Sequence, residues 1–281
     1  MLTVTDHRRD RLGLHYIYPV ISRRAGGLSI GINLNTDNAC NWRCIYCQVP
    51  GLKRGKAPDT DLQLLATELH SVLQDILHGD FYAHYQIPAE SRQIRDIAIS
   101  GNGEATSSGM FDRVVEVIGK VVEECGLLNR IKIVLITNGS LMSRPKVKKG
   151  IEHLAQFNGE VWFKLDSATN TGLRNINHAA ISIGKVRRNL ETAASLCPTW
   201  IQTCVFSLDG KPPAESEQQA YLRFISSLKE NSIPIKGILL YGIIRPSHQP
   251  ESKRLARLPE SWLREYAKKI NAFDVEVKVC V

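Results

Sequence analysis

No stretch of this 281-residue chain approaches the eighteen or so consecutive apolar residues of a membrane-spanning helix, which excludes a helical membrane protein. The opening MLTVTDHRRDRLG lacks the apolar core of a secretory leader, so a cytoplasmic protein is expected. Internal repeats and low-complexity linkers are absent too, which argues for one domain over 1–281 rather than a string of modules. There is no recognised nucleic-acid-binding motif and no attached flavodoxin domain. The composition is that of an ordinary globular protein, 43% apolar and 23% charged, long enough to bury a sizeable core. A net charge of +8 permits an anionic partner such as tRNA, and Arg8, Arg9, Arg11, Arg23, Arg24, Lys53, Arg54 and Lys56 gather on either side of one loop. Many solvated surfaces are equally basic, so the charge alone does not identify a partner.

That loop carries the densest signal in the chain. Within IGINLNTDNACNWRCIYCQVP, Ile30 to Pro50, three cysteines fall inside eight residues: Cys40, Cys44 and Cys47, with Tyr46 before the last. Three thiolates so close can share one inorganic centre. A structural zinc wants four closed ligands, and neither Cys nor His nearby supplies the fourth, so the spacing favours iron and sulfur over a fragment of a zinc site. The other four cysteines, Cys125, Cys197, Cys204 and Cys280, are scattered among apolar neighbours and read as small core residues in a reducing compartment.

Hydrophobic periodicity places the loop in a larger plan. Residues 1–27 read as a polar lead-in, with Gly26-Gly27 as a turn. LSIGINLN is then a buried strand whose carboxyl end delivers the cysteines, and Leu62, Leu65, Leu69, Leu73 and Ile76 form a helical stripe ending at Gly79. After a long connection, 80–95, further strands are expected at Asp96 to Glu104, Ile131 to Ser140, VWFKLDS, TWIQTCVFS and IKGILLYGI. Helices are expected at Phe111 to Val122, from Ser143 to Phe157, around Tyr221 to Leu228 and near Ser261 to Ile270, before a short last strand, DVEVKVCV. Near-continuous apolar strands alternating with helices indicate an open parallel sheet, with a core over 28–247 and a terminal helix and strand over 248–281. In such sheets ligands lie at the carboxyl ends of the strands. The unusual polar clusters all fall there: the cysteines, Gly101-Asn102-Gly103-Glu104, then Thr137, Asn138 and Ser140, then Lys164, Asp166 and Ser167. Each has a plain alternative, since Gly, Asn and Asp are the commonest turn formers and Lys164 with Asp166 makes an ordinary ion pair.

C-x3-C-x2-C with an aromatic before its third cysteine resembles the cluster loop of the radical S-adenosylmethionine (radical SAM) superfamily. The resemblance implies an open (β/α)6 partial barrel, a 4Fe-4S cluster on Cys40, Cys44 and Cys47, and S-adenosylmethionine on the iron left without a thiolate. GNGE is similar to the family's Gly-Gly-Glu motif for the methionyl amino group, offset because Asn102 stands at the second glycine. The strings PVISRRAGGLSIGINLN, CIYCQ, LITNGS, FKLDSATNTGLRNIN and GIIRPS look like the group related to the wyosine tRNA-modifying enzymes, from about Pro19 to Ser247. That implies RNA modification and electrons from a separate flavodoxin or ferredoxin. It also adds Tyr46, Gly101, Asn102, Gly103, Glu104, Thr137, Asn138, Ser140, Lys164, Asp166, Ser167 and Arg245 to the cofactor-binding set. In that synthase a lysine forms a Schiff base with pyruvate; Lys164 is not assigned this role, because Asp166 beside it raises its pKa. The rival readings are a glycyl-radical activating enzyme and an iron-sulfur or zinc protein without turnover.

Overall fold

A computed structural model describes residues 12–22 and 25–280. The chain opens with an antiparallel pair, β1 (Ile17–Ser22) and β2 (Gly27–Ile32), in which Ile17 faces Ile32 and Ser22 faces Gly27. Two short segments, β3 (Ala39–Cys40) and β4 (Lys53–Arg54), pair in parallel and tie the two ends of the cysteine loop together. The order continues through α1 (Leu62–His78), α2 (Phe81–His84), β5 (Ile94–Ile99), α3 (Phe111–Glu124), β6 (Lys132–Thr137), α4 (Pro145–Gln156) and β7 (Glu160–Lys164). Then come α5 (Asn170–Asn177), α6 (Ile183–Leu196), β8 (Thr199–Val205), β9 (Ser207–Leu208), α7 (Glu215–Glu230), β10 (Ile235–Gly242), β11 (Leu255–Ala256), α8 (Glu260–Asn271) and β12 (Val277–Cys280).

Eight strands form one sheet in the order β1-β2-β5-β6-β7-β8-β10-β12, every pair after the first being parallel. Tyr18 and Val20 of the first strand and Cys280 of the last line one cavity, so the sheet curls into a partial barrel. Buried apolar strands need helices over their outer face. Phe111, Val114, Val115, Ile118, Val121 and Val122 supply such a face on α3, each 5% exposed or less. Each side chain so buried contributes roughly 1.5 to 3 kcal/mol against its exposed state.

Several expectations change. Residues 17–22 are a strand rather than a lead-in, and Pro19 is tolerated there because β1 is an edge strand with no neighbour on its outer side. Gly26, at φ +73°, makes the turn, while Gly27 begins β2. Two helices not anticipated, α5 and α6, fill the stretch between β7 and β8; Thr169 and Ser182 cap them by accepting the backbone N–H of Gly172 and Lys185. The expected last strand is β12, which lies parallel beside β10. Arg8, Arg9, Arg11, Arg23 and Arg24 lie outside the described residues. Among the described residues no helix is long and apolar enough to cross a membrane.

The first helix is anchored at its start. Asp61 accepts the N–H of Gln63 and Leu64, both at 3.0 Å, and its own N–H donates to the Tyr16 hydroxyl at 2.9 Å. Within α1, Glu68 accepts the N–H of His15 at 2.7 Å and of Tyr16 at 2.8 Å, tying the edge strand to the helix. Replacing the cap, Asp61→Ala, should lower unfolding free energy by about 1 kcal/mol, measured as a lower denaturant midpoint at unchanged slope.

Candidate active site

The three cysteines belong to a loop with almost no regular structure, so their positions depend on bonds to rigid parts. Arg43 N–H donates to Asn177 O at 3.2 Å and Ile45 N–H to Ile176 O at 2.8 Å, both at the end of α5. From the other side, Ser247 Oγ donates to Ile45 O and Cys47 O, and His248 N–H donates to Cys47 O at 2.9 Å. Arg43 makes a two-pronged contact with Glu251, at 2.9 and 2.8 Å, and holds that carboxyl at about 2, well below its ordinary value. Arg54 donates to Asn41 O and His178 O, so this cation braces the loop.

Cys40, Cys44 and Cys47 border a single cavity of about 310 Å³ at the carboxyl ends of the strands. Burial pushes the Cys40 thiol up to about 12 and Cys44 to about 11, and the three sulfurs oppose one another's ionisation. A bound metal would reverse this, because its charge stabilises thiolate. Among the described residues, no three His, Cys, Asp or Glu side chains are grouped so as to hold one metal ion. Three thiols from one loop on one cavity supply the soft ligands that iron or zinc takes.

Behind the loop stands a buried carboxylate. Asp166, one turn of chain past β7, accepts the Tyr46 hydroxyl at 2.5 Å, Asn177 Nδ2 at 2.8 Å and the Cys204 N–H at 3.0 Å, with Lys164 Nζ at 3.7 Å. Asn177 Nδ2 also reaches Cys44 Sγ at 3.2 Å. Lys164 donates to the Tyr241 hydroxyl at 2.9 Å and lies 5.0 Å from the Tyr46 ring centre. Burial, the largest single influence, would lower the Lys164 pKa, but Asp166, Tyr241, Cys204 and Cys44 together outweigh it and the net shift is upward.

The polar clusters divide. Gly101, Asn102, Gly103, Glu104, Asn138, Lys164 and Arg245 line the cavity together with Tyr46 and the cysteines. Thr137, Ser140, Asp166 and Ser167 do not. Thr137 donates to Glu104 Oε1 at 2.5 Å, and Ser140 accepts Asn41 Nδ2 at 2.8 Å, while Asn41 Oδ1 accepts from Asn138. These residues brace the cysteine loop. Ser167 turns away to Glu217, 2.7 Å from its Oγ, in the first turn of α7. Glu104 is buried, raised in pKa by that burial, and filled by Thr106, Thr137 and Asn138 donors. Gly103 is needed for contact with protein: a Cβ there would stand 2.0 Å from Ala39 O and 2.7 Å from Asn35. Sequence reasoning missed Asn41, Asn177, Gln202 and Tyr241, although Asn177 closes the FKLDSATNTGLRNIN string.

No protein-family model matches the chain. It is 29% identical over 136 residues to a UPF0026 protein of Helicobacter pylori strain J99, and 27% identical over 135 residues to one from a second strain. Each match takes in 48% of this chain and 38% of the relative, so the chain spans well under half the length of these curated relatives. Among solved structures, TYW1 with a lysine-pyruvate adduct bound superposes with TM-score 0.59 at 15% identity, over 87% of this chain and 73% of that one. A radical SAM methyltransferase from Sphaerobacter thermophilus superposes with TM-score 0.56 at 11% identity, over 90% and 66%. The chain has the radical SAM fold. In the radical SAM fold as built here, the open end of the partial barrel is roofed by the cysteine loop, and the cavity beneath reaches into the lumen.

The Gly103 contact yields a prediction about packing. Gly103→Ala should displace Ala39, next to Cys40, and lower the melting temperature by several degrees, and an unchanged melting temperature would show that the contact can relax.

Proposed function

We propose that this protein is a radical SAM enzyme that carries a 4Fe-4S cluster on Cys40, Cys44 and Cys47. It would bind S-adenosylmethionine in the cavity beneath and abstract hydrogen from a substrate in RNA modification, with a separate flavodoxin or ferredoxin as electron donor. The observation that carries the reading is three thiols from one pinned loop bordering one cavity at the mouth of this fold. The cavity wall also fits the cosubstrate: Asn102 Oδ1 is buried without a hydrogen-bond partner. An orphaned acceptor beside the cysteines suits an amino group. When bound and reduced, the cluster would supply one electron to the sulfonium of S-adenosylmethionine, breaking its C–S bond to give methionine and a 5'-deoxyadenosyl radical.

The chain's own residues hold, orient and exclude water. Asn177 aims its amide at Cys44 Sγ, and a hydrogen bond to a ligating sulfur tunes the potential of a cluster. Lys164 is kept protonated by Asp166, so in this arrangement it acts as a cation and hydrogen-bond donor. A lysine nucleophile needs the free amine, which argues against an adduct of the TYW1 kind unless Asp166 is displaced.

Anaerobic reconstitution should give about four irons and four sulfides per chain, and dithionite with S-adenosylmethionine should release 5'-deoxyadenosine slowly. Cys44→Ala should abolish both. Stoichiometric zinc without sulfide in anaerobically purified protein would sink the proposal.

RNA as substrate has its own test. Arg54 is committed to the loop, so the exposed cations to change are Lys53 and Lys56. If they meet phosphates, tRNA affinity should fall with salt by a log-log slope of roughly 0.7 to 0.9 per phosphate neutralised. Lys53→Glu with Lys56→Glu should flatten that slope by about two such steps. Undetectable tRNA binding at low salt would remove RNA from the proposal.

A further inference from the structure

Below the cysteines the cavity continues into the lumen between β7 and β8. There Gln202 is 1% exposed, and its Nε2 is buried with no hydrogen-bond partner. A buried amide donor left unpaired is destabilising, and such groups persist where a ligand supplies the partner. Gln202 stands directly across the strand pair from Lys164 in the parallel register, and both line the cavity. Lys164 brings an ammonium group to the same height of the wall. Beside a cation the favoured occupant presents oxygen, and a terminal amide can turn its NH2 toward it.

We propose that Gln202 and Lys164 form a substrate subsite for an anionic oxygen acceptor, a carboxylate carried by a small molecule or at the reacting end of a larger one. The identity of its occupant as a substrate rests on the radical SAM reading above; the subsite itself does not. Gln202 lies two residues before Cys204 on β8, about 6.6 Å further from the cluster loop at 3.3 Å per residue. A group held there sits under the cofactor rim, with the rest of its molecule directed up toward the cysteines. Ile136 and Trp162 add apolar wall, while the lining carboxylates Asp96 and Glu104 accept from Ser29 and from Thr106, Thr137 and Asn138.

Ligand-observed NMR on the reconstituted protein, with acetate, acetamide and ethylammonium as probes, tests this. Acetate should bind most tightly, acetamide more weakly and ethylammonium not measurably. Gln202→Leu should weaken acetate about tenfold, the worth of one hydrogen bond to a charged acceptor. Gln202→Glu, nearly the same size, should abolish acetate binding and admit ethylammonium; circular dichroism melting confirms that both variants are folded. Acetate binding unaltered by both changes, or ethylammonium binding to the parent protein, overturns the subsite. If no cluster assembles but acetate binds and responds to Gln202→Glu, the radical reading fails and the subsite stands. If the cluster assembles and acetate does not bind, only the subsite fails.

Discussion

A carboxylate removed from water is tolerable only where donors replace what it has lost, and Asp166 has drawn its donors from four directions. Tyr46 comes from the cysteine loop, Asn177 from the end of α5, the Cys204 N–H from β8 and the Lys164 ammonium from β7. Each is useless to the loop alone; through one carboxylate they lock the loop to the barrel. Breaking such a centre by removing one partner costs more than the same bond at a surface, because the remaining groups stay buried. The position of Cys44 therefore follows from a charge that touches no metal.

The same logic explains why so irregular a loop can present a ligand set. Sites placed on loops are imprecise unless neighbouring elements fix them. Here the segment 247–251 closes over one side and α5 over the other, with Arg43 and Glu251 joining the outer edge. Asn138 and Ser140, just past β6, support it through Asn41. Residues that look like ligand donors in the linear text are spent on holding the cysteine loop.

This is also where the sequence ceased to be legible. Cysteine spacing, strand periodicity and the position of polar clusters at strand ends depend on neighbours within a few residues, and those features read directly. β1 was hidden by Pro19, whose tolerance depends on the strand being at an edge, a fact of sheet order alone. α6 was hidden because its buried face is small and mixed, Val186, Asn189, Leu190, Ala193 and Ala194, a weak periodic signal. Ser167 is separated from Asp166 by one bond of chain, yet it serves Glu217 on the far side. Nothing local distinguishes a strand-end polar group that enters a cavity from one that turns outward. Gln202 was passed over for the opposite reason, since a glutamine in the middle of TWIQTCVFS reads as a flaw in an apolar strand.

Depth along a parallel strand orders what a partial barrel can do. Side chains two residues apart share a face, so Trp162 and Lys164 on β7, and Gln202 and Cys204 on β8, all point into the lumen, with Lys164 and Gln202 level in the register and Cys204 one step above. The upper step is crowded by the loop, and its Cys204 N–H and Tyr46 hydroxyl are both taken by Asp166. The level of Lys164 and Gln202 keeps an unpaired amide. Polar capacity left open in a packed interior marks where an outside molecule completes the hydrogen bonding. In this fold that gap lies in the same cavity as the three cysteines.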